Sequence, residues 1–129
     1  MPRMRWDCER DGCFNRVQRP KIEVFDVCFP RSIAFGDIDA IVEMGGHFLV
    51  LEWKRPGTRV PRGQALLHER LTALSPAIVV VVIFGDAETM VVESLRVVRG
   101  GCTSELRPAT LDSLKLRVAE WARTYGGAV

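Results

Sequence analysis

Gly36-Asp37-Ile38-Asp39-Ala40-Ile41-Val42-Glu43-Met44-Gly45-Gly46-His47-Phe48-Leu49-Val50-Leu51-Glu52-Trp53-Lys54 is the stretch whose reading decides the fold. Two runs that alternate between apolar and polar residues, Asp37 to Glu43 and His47 to Lys54, flank Gly45-Gly46. A glycine pair supplies the positive φ angles that a two-residue hairpin loop demands. If those glycines are the whole loop, Met44 pairs with His47. Counting back then sets Asp39 opposite Glu52 and Asp37 opposite Lys54. Strand alternation places Asp37, Asp39, Glu52 and Lys54 on one face, and Ile38, Ala40, Val42, Leu49, Leu51 and Trp53 on the other. Like charges directly opposite each other destabilise a sheet, so Asp39 facing Glu52 calls for a compensating cation. A divalent metal ion is the candidate.

Asp39, an apolar run, a turn, a second apolar run and Glu52-Trp53-Lys54 resemble the signature of the PD-(D/E)xK nuclease superfamily, and the Gly-Asp-Ile-Asp start is similar to small Holliday-junction-resolvase-like members. The motif covers about a fifth of the chain. The resemblance implies that Asp39 and Glu52 bind Mg2+ or Mn2+, joined by the backbone carbonyl of Trp53, and that Lys54 serves the attacking water. It also implies a first helix that contributes a further glutamate, for which Glu23 is suitably placed. A solvated glutamate on an amphipathic helix is the alternative. Asp37 either pairs with Lys54 or joins a second metal site.

Upstream, Pro20 suits the first position of a helix whose apolar side is Ile22, Phe25, Val27 and Phe29, and Pro30 ends it. A short strand from about Ser32 to Phe35 is expected before the hairpin. Residues 1–19 form a Cys-containing arm in which Asp7-Cys8-Glu9-Arg10-Asp11-Gly12-Cys13 is rich in turn formers. Cys8 and Cys13, with Cys28 as a third ligand, can wrap a structural Zn2+, although no Cys-x-x-Cys pair and no fourth ligand is present. The plainer reading is a set of reduced thiols.

Downstream, Arg55-Pro56-Gly57-Thr58-Arg59-Val60-Pro61-Arg62 is a stiffened loop. The planar forks of Arg55, Arg59 and Arg62 suit phosphate oxygens, which points to a nucleic-acid backbone; a solvated loop is the alternative. Pro61 opens a helix to about Leu74, expected to bury Leu67, Leu71 and Leu74, with Gln64 one turn earlier and pointing inward near Glu52. His68, one turn beyond Gln64, either reaches phosphate or is simply packed, and His47 is read as structural. Ala77 to Phe84 lacks alternation, as a strand covered on both faces does, and a strand-helix-strand crossover sets it parallel to His47–Lys54. Thr89 to Val98 reads as one further strand or two short ones at an edge. From Thr110, Leu111, Leu114, Val118, Trp121 and Tyr125 recur at helical spacing; the stripe is read as core, with a homodimer contact as the other possibility.

The chain has 129 residues, 47% of them hydrophobic, which fits one nuclease-like domain over 1–129. A net charge of +2 argues neither for nor against nucleic acid. No apolar run approaches the length of a membrane span, and the N-terminus lacks a signal-peptide core, so a cytoplasmic protein is expected. The expected fold is α/β, a three-layer restriction-endonuclease-like core (αβββαβ) with a mixed central sheet and a C-terminal helix. The expected function is metal-dependent hydrolysis of DNA phosphodiester bonds, with Asp39, Glu52, Lys54 and Gln64 as the working set. An inactive nucleic-acid-binding module of the same fold and a zinc-stapled interaction protein are the alternatives. The sequence does not distinguish internal from terminal cleavage, or DNA from RNA.

Overall fold

The computed structural model describes residues 19–126. The chain groups into two compact units, Met1–Asp37 and Ile38–Val129.

In the first unit the helix expected between Pro20 and Pro30 is present over Ile22–Cys28, in 3₁₀ rather than α form. The segment buries none of its residues, and Val24 and Val27 are largely exposed. A short stretch rich in β-branched residues, with no buried stripe to reward α-helical packing, has little to hold it in that form. Phe35 makes T-shaped contacts with Phe25 and Phe29, with ring centroids 5.8 and 5.3 Å away. The expected strand at Ser32 to Phe35 is not formed, and residues 33–38 run without a ladder partner.

The second unit is an α/β arrangement built on a mixed, open sheet. Strands β1 (Ala40–Met44) and β2 (His47–Lys54) form the hairpin. Its register is the expected one, from Met44 opposite His47 to Ala40 opposite Leu51. Gly45 and Gly46 adopt φ of 57° and 82°, which only glycine takes up without strain. Helix α1 (Arg62–Ala73) follows, then β3 (Ile78–Asp86), which lies parallel to β2 with Glu52 beside Val82 and Lys54 beside Phe84. Seven consecutive β3 residues, Val79 to Gly85, are buried, as the absence of alternation in the sequence required.

Strand β4 (Val91–Arg99) is a single antiparallel neighbour of β3. It is not the sheet edge, because the short β5 (Cys102–Thr103) and β6 (Arg107–Pro108) pair along its far side. Helix α2 (Leu111–Gly126) closes the unit. Its start is fixed by a reciprocal cap in which Ser113 N–H donates to Thr110 Oγ1 and Thr110 N–H donates to Ser113 Oγ.

Alternation divides the core between the two sheet faces. Leu49, Val81, Ile83 and Leu95 meet Leu114 and Trp121 of α2, with Leu51 and Trp53 at the margin of that cluster. Val50, Val80, Val82, Phe84 and Val98 form the core on the α1 side. The apolar face of the hairpin therefore looks toward α2, and Glu52 and Lys54 look toward α1. Among the described residues no helix is long and apolar enough to cross a membrane.

Candidate active site

Glu52 and Lys54 are buried side chains two positions apart on one face of β2, with 5% and 9% of their surface exposed. A carboxylate and an ammonium group lose much hydration there, which calls for partners. Gln64 of α1 answers Glu52, its Nε2 donating to Oε2 at 3.2 Å. The Lys54 ammonium makes no hydrogen bond or ion pair among the described residues.

Asp39 occupies the bend just before β1, one step beyond the last ladder pair and so opposite Glu52 in the register. Its Oδ2 accepts the Trp53 N–H at 2.6 Å, which ties the carboxylate to the Glu52-Trp53-Lys54 backbone. The indole of Trp53 turns to the other face and donates to the Gly85 carbonyl at 3.0 Å. The hairpin thus brings Asp39, Glu52 and Lys54 to the end of one strand pair, and α1 brings Gln64 onto the same carboxylate.

Helix α1 does not bury the leucine stripe expected of it. Leu67 and Leu74 are exposed, and the buried positions are Gln64, His68 and Thr72. The helix is rotated so that a polar stripe, spaced four residues apart, faces the sheet where Glu52 and Lys54 lie. Thr72 Oγ1 donates to the His68 carbonyl and accepts the Gly101 N–H, pinning α1 to the β4–β5 turn. Thr72 had no place in the leucine-based reading, yet its signal was present, since Gln64, His68 and Thr72 share one helical face.

Burial pushes the His68 pKa below the ordinary histidine value of 6.5, and the nearby Lys54 charge lowers it further. The imidazole is therefore neutral at neutral pH. Among the described residues its ring makes no hydrogen bond. His47 lies away from this site, stacked on Tyr125 of α2 with centroids 3.8 Å apart.

Arg55, Arg59 and Arg62 are exposed on and just after the loop that leaves Lys54, and their guanidinium groups make no hydrogen bond or ion pair among the described residues. Glu23 and Asp37 belong to the first unit, where Arg19 Nη2 holds Glu23 Oε1 at 2.8 Å. Cys8 and Cys13 lie outside the described residues, and Cys28 is exposed.

The donor types suit a hard cation. Asp39 and Glu52 offer carboxylate oxygens, and Gln64 Oε1 is a buried carbonyl oxygen with no hydrogen-bond partner among the described residues. No group of three or more His, Cys, Asp or Glu able to hold a metal gathers among the described residues. Mg2+ is commonly held by one or two carboxylates while keeping several waters, so this donor set fits that ion in kind. Comparison with family models, with curated proteins and with solved structures gives no match.

Proposed function

We propose that the chain is a metal-dependent deoxyribonuclease of restriction-endonuclease-like fold, as its resemblance to the PD-(D/E)xK superfamily implies. The observation that carries this reading is the burial of Glu52 and Lys54 side by side, with the lysine ammonium lacking an ion-pair partner among the described residues. A role confined to stability gives no reason to set a largely buried lysine there without a carboxylate bound to its ammonium group, whereas an anionic substrate supplies that partner.

Asp39, Glu52 and the Trp53 carbonyl would hold Mg2+ or Mn2+. When bound, the ion supplies Lewis acidity at the phosphate and a water acidic enough to attack at neutral pH. Gln64 orients the Glu52 carboxylate through the bond to Oε2. Lys54 donates to the attacking water or to the charge that grows on the phosphate oxygens. Arg55, Arg59 and Arg62 hold the backbone on either side. Glu23 and Asp37 remain candidates for further metal contacts, and Cys8, Cys13 and Cys28 for a structural Zn2+.

The test is incubation with labelled duplex, junction, flap, overhang and single-stranded DNA plus Mg2+ or Mn2+. Wild type is expected to cleave at least one. Asp39→Asn and Glu52→Gln should abolish cleavage together with metal binding, while Lys54→Ala should keep the metal and slow single-turnover cleavage by about 100-fold or more. Binding of DNA without metal-dependent cleavage of any substrate would establish the inactive binding module instead.

A further inference from the structure

A cavity of about 450 Å3 opens on the α1 side of the sheet, the side that carries Glu52 and Lys54. Its floor is apolar, formed by Val82 and Phe84 of β3, Val98 of β4 and Val60 of the loop before α1. Two arginines, Arg59 and Arg96, also line it, together with Ser94 and Glu69. His68 also lines it, 4% exposed and with no hydrogen bond to its ring among the described residues. Arg96 is half-buried, and Nη1 donates to the Ser104 carbonyl at 3.0 Å, which fixes the guanidinium while leaving its other N–H groups for a ligand.

We infer that this cavity is a binding pocket for one unpaired nucleotide. The His68 ring nitrogens make no hydrogen bond among the described residues and are not among the buried polar atoms left without a partner, so the ring is open to the hollow and can meet a ligand there. The occupant must match an apolar floor, two cationic side chains and a wall of mixed donors and acceptors. A bare anion leaves the floor of Val82, Phe84 and Val98 uncovered. A purely apolar ligand leaves Arg59 without a counter-charge and His68 without a partner. A nucleobase lying on that floor, its edge toward His68, Glu69 and Ser94 and its phosphate at Arg59 and Arg96, satisfies all three, and the volume lies in the range of small-molecule sites.

The sheet register relates the pocket to the candidate active site. One row runs Glu52, Val82, Arg96 and the next Lys54, Phe84, Ser94. Two strand spacings put Arg96 roughly 10 Å from Glu52. A strand whose scissile phosphate lies at Glu52 therefore brings a neighbouring nucleotide to the pocket. This placement rests on the nuclease reading, but the pocket's affinity for a nucleotide does not.

The experiment is titration of 15N-labelled full-length protein, in EDTA, with dAMP, dGMP, dCMP and TMP, with inorganic phosphate and with a single-stranded trinucleotide. Saturable shifts are expected at Ser94, Arg96 and Val98 for the mononucleotides, with phosphate at least about tenfold weaker. Arg59→Glu, at an exposed position that leaves folding intact, should weaken the mononucleotides about tenfold or more, and Glu52→Gln should bind them as wild type does. Phosphate binding as tightly, shifts that map elsewhere, or indifference to Arg59→Glu would each overturn the pocket. A trinucleotide that binds while mononucleotides do not would also overturn it, leaving only a backbone contact. Mononucleotide binding by a protein that cleaves no DNA would sink the nuclease reading and leave the pocket standing; cleavage without mononucleotide binding would do the reverse.

Discussion

The charge of Lys54 reaches the buried ring of His68. Burial and Lys54 together hold the His68 pKa below 6.5 in the folded chain. The unfolded chain therefore binds more protons at this side chain once the pH falls below that value. Stability attributable to neutral His68 is complete above pH 6.5 and is lost as the pH drops through it toward the lower folded pKa. Wild type should lose more thermal stability than His68→Gln between about pH 7.5 and pH 5. Equal losses would show that other groups set the acid sensitivity. Because burial is the larger cause and Lys54 the smaller, Lys54→Met should raise the His68 pKa only part of the way toward its ordinary value. An NMR titration of the His68 ring that shows no change would separate the two residues.

At the scale of elements, α1 shows how polar groups can direct packing. Thr72 Oγ1 accepts the Gly101 N–H at 3.1 Å, and the side chain is fully buried. Thr72→Val keeps the shape and removes that acceptor, so it should cost about 1–3 kcal/mol in denaturant unfolding, the range for a stranded buried donor. A loss near zero would show that water replaces the hydroxyl. The hairpin offers a parallel case at Gly45, where an added Cβ would lie 2.9 Å from the Tyr125 carbonyl on top of its positive φ. The hairpin was legible because a period of two and a glycine pair are local signals, and its register put Asp39 beside Glu52 with no knowledge of the rest of the chain. The buried face of α1 was not legible from its leucines. Leu67 and Leu74 stay exposed because α1 turns Gln64 onto Glu52 and Thr72 onto the Gly101 N–H, and that rotation carries these two leucines to the outer side of the helix. The strand expected at Ser32 to Phe35 fails for a related reason, since β propensity without a neighbouring strand gains no ladder.

Across the whole molecule, 18 Lys and Arg nearly balance 16 Asp and Glu, so any affinity for a nucleic-acid backbone comes from where the charges lie. Two exposed groups of arginine compete for that role. Arg55, Arg59 and Arg62 follow the end of β2 in the chain and are exposed, and Arg59 lines the cavity on the side of Glu52. Arg99, Arg107 and Arg117 border a separate hollow beside β5, where Arg117 belongs to α2. Each phosphate contact releases condensed counterions, so the slope of log affinity against log salt counts the contacts made. If the strand crosses the face that carries Glu52, Arg59→Ala and Arg62→Ala should each flatten that slope by about one unit, and Arg99→Ala and Arg117→Ala should leave it unchanged. The opposite pattern would place the backbone on the α2 face, out of reach of Lys54, and would remove the substrate from the proposed site even if the protein binds DNA well.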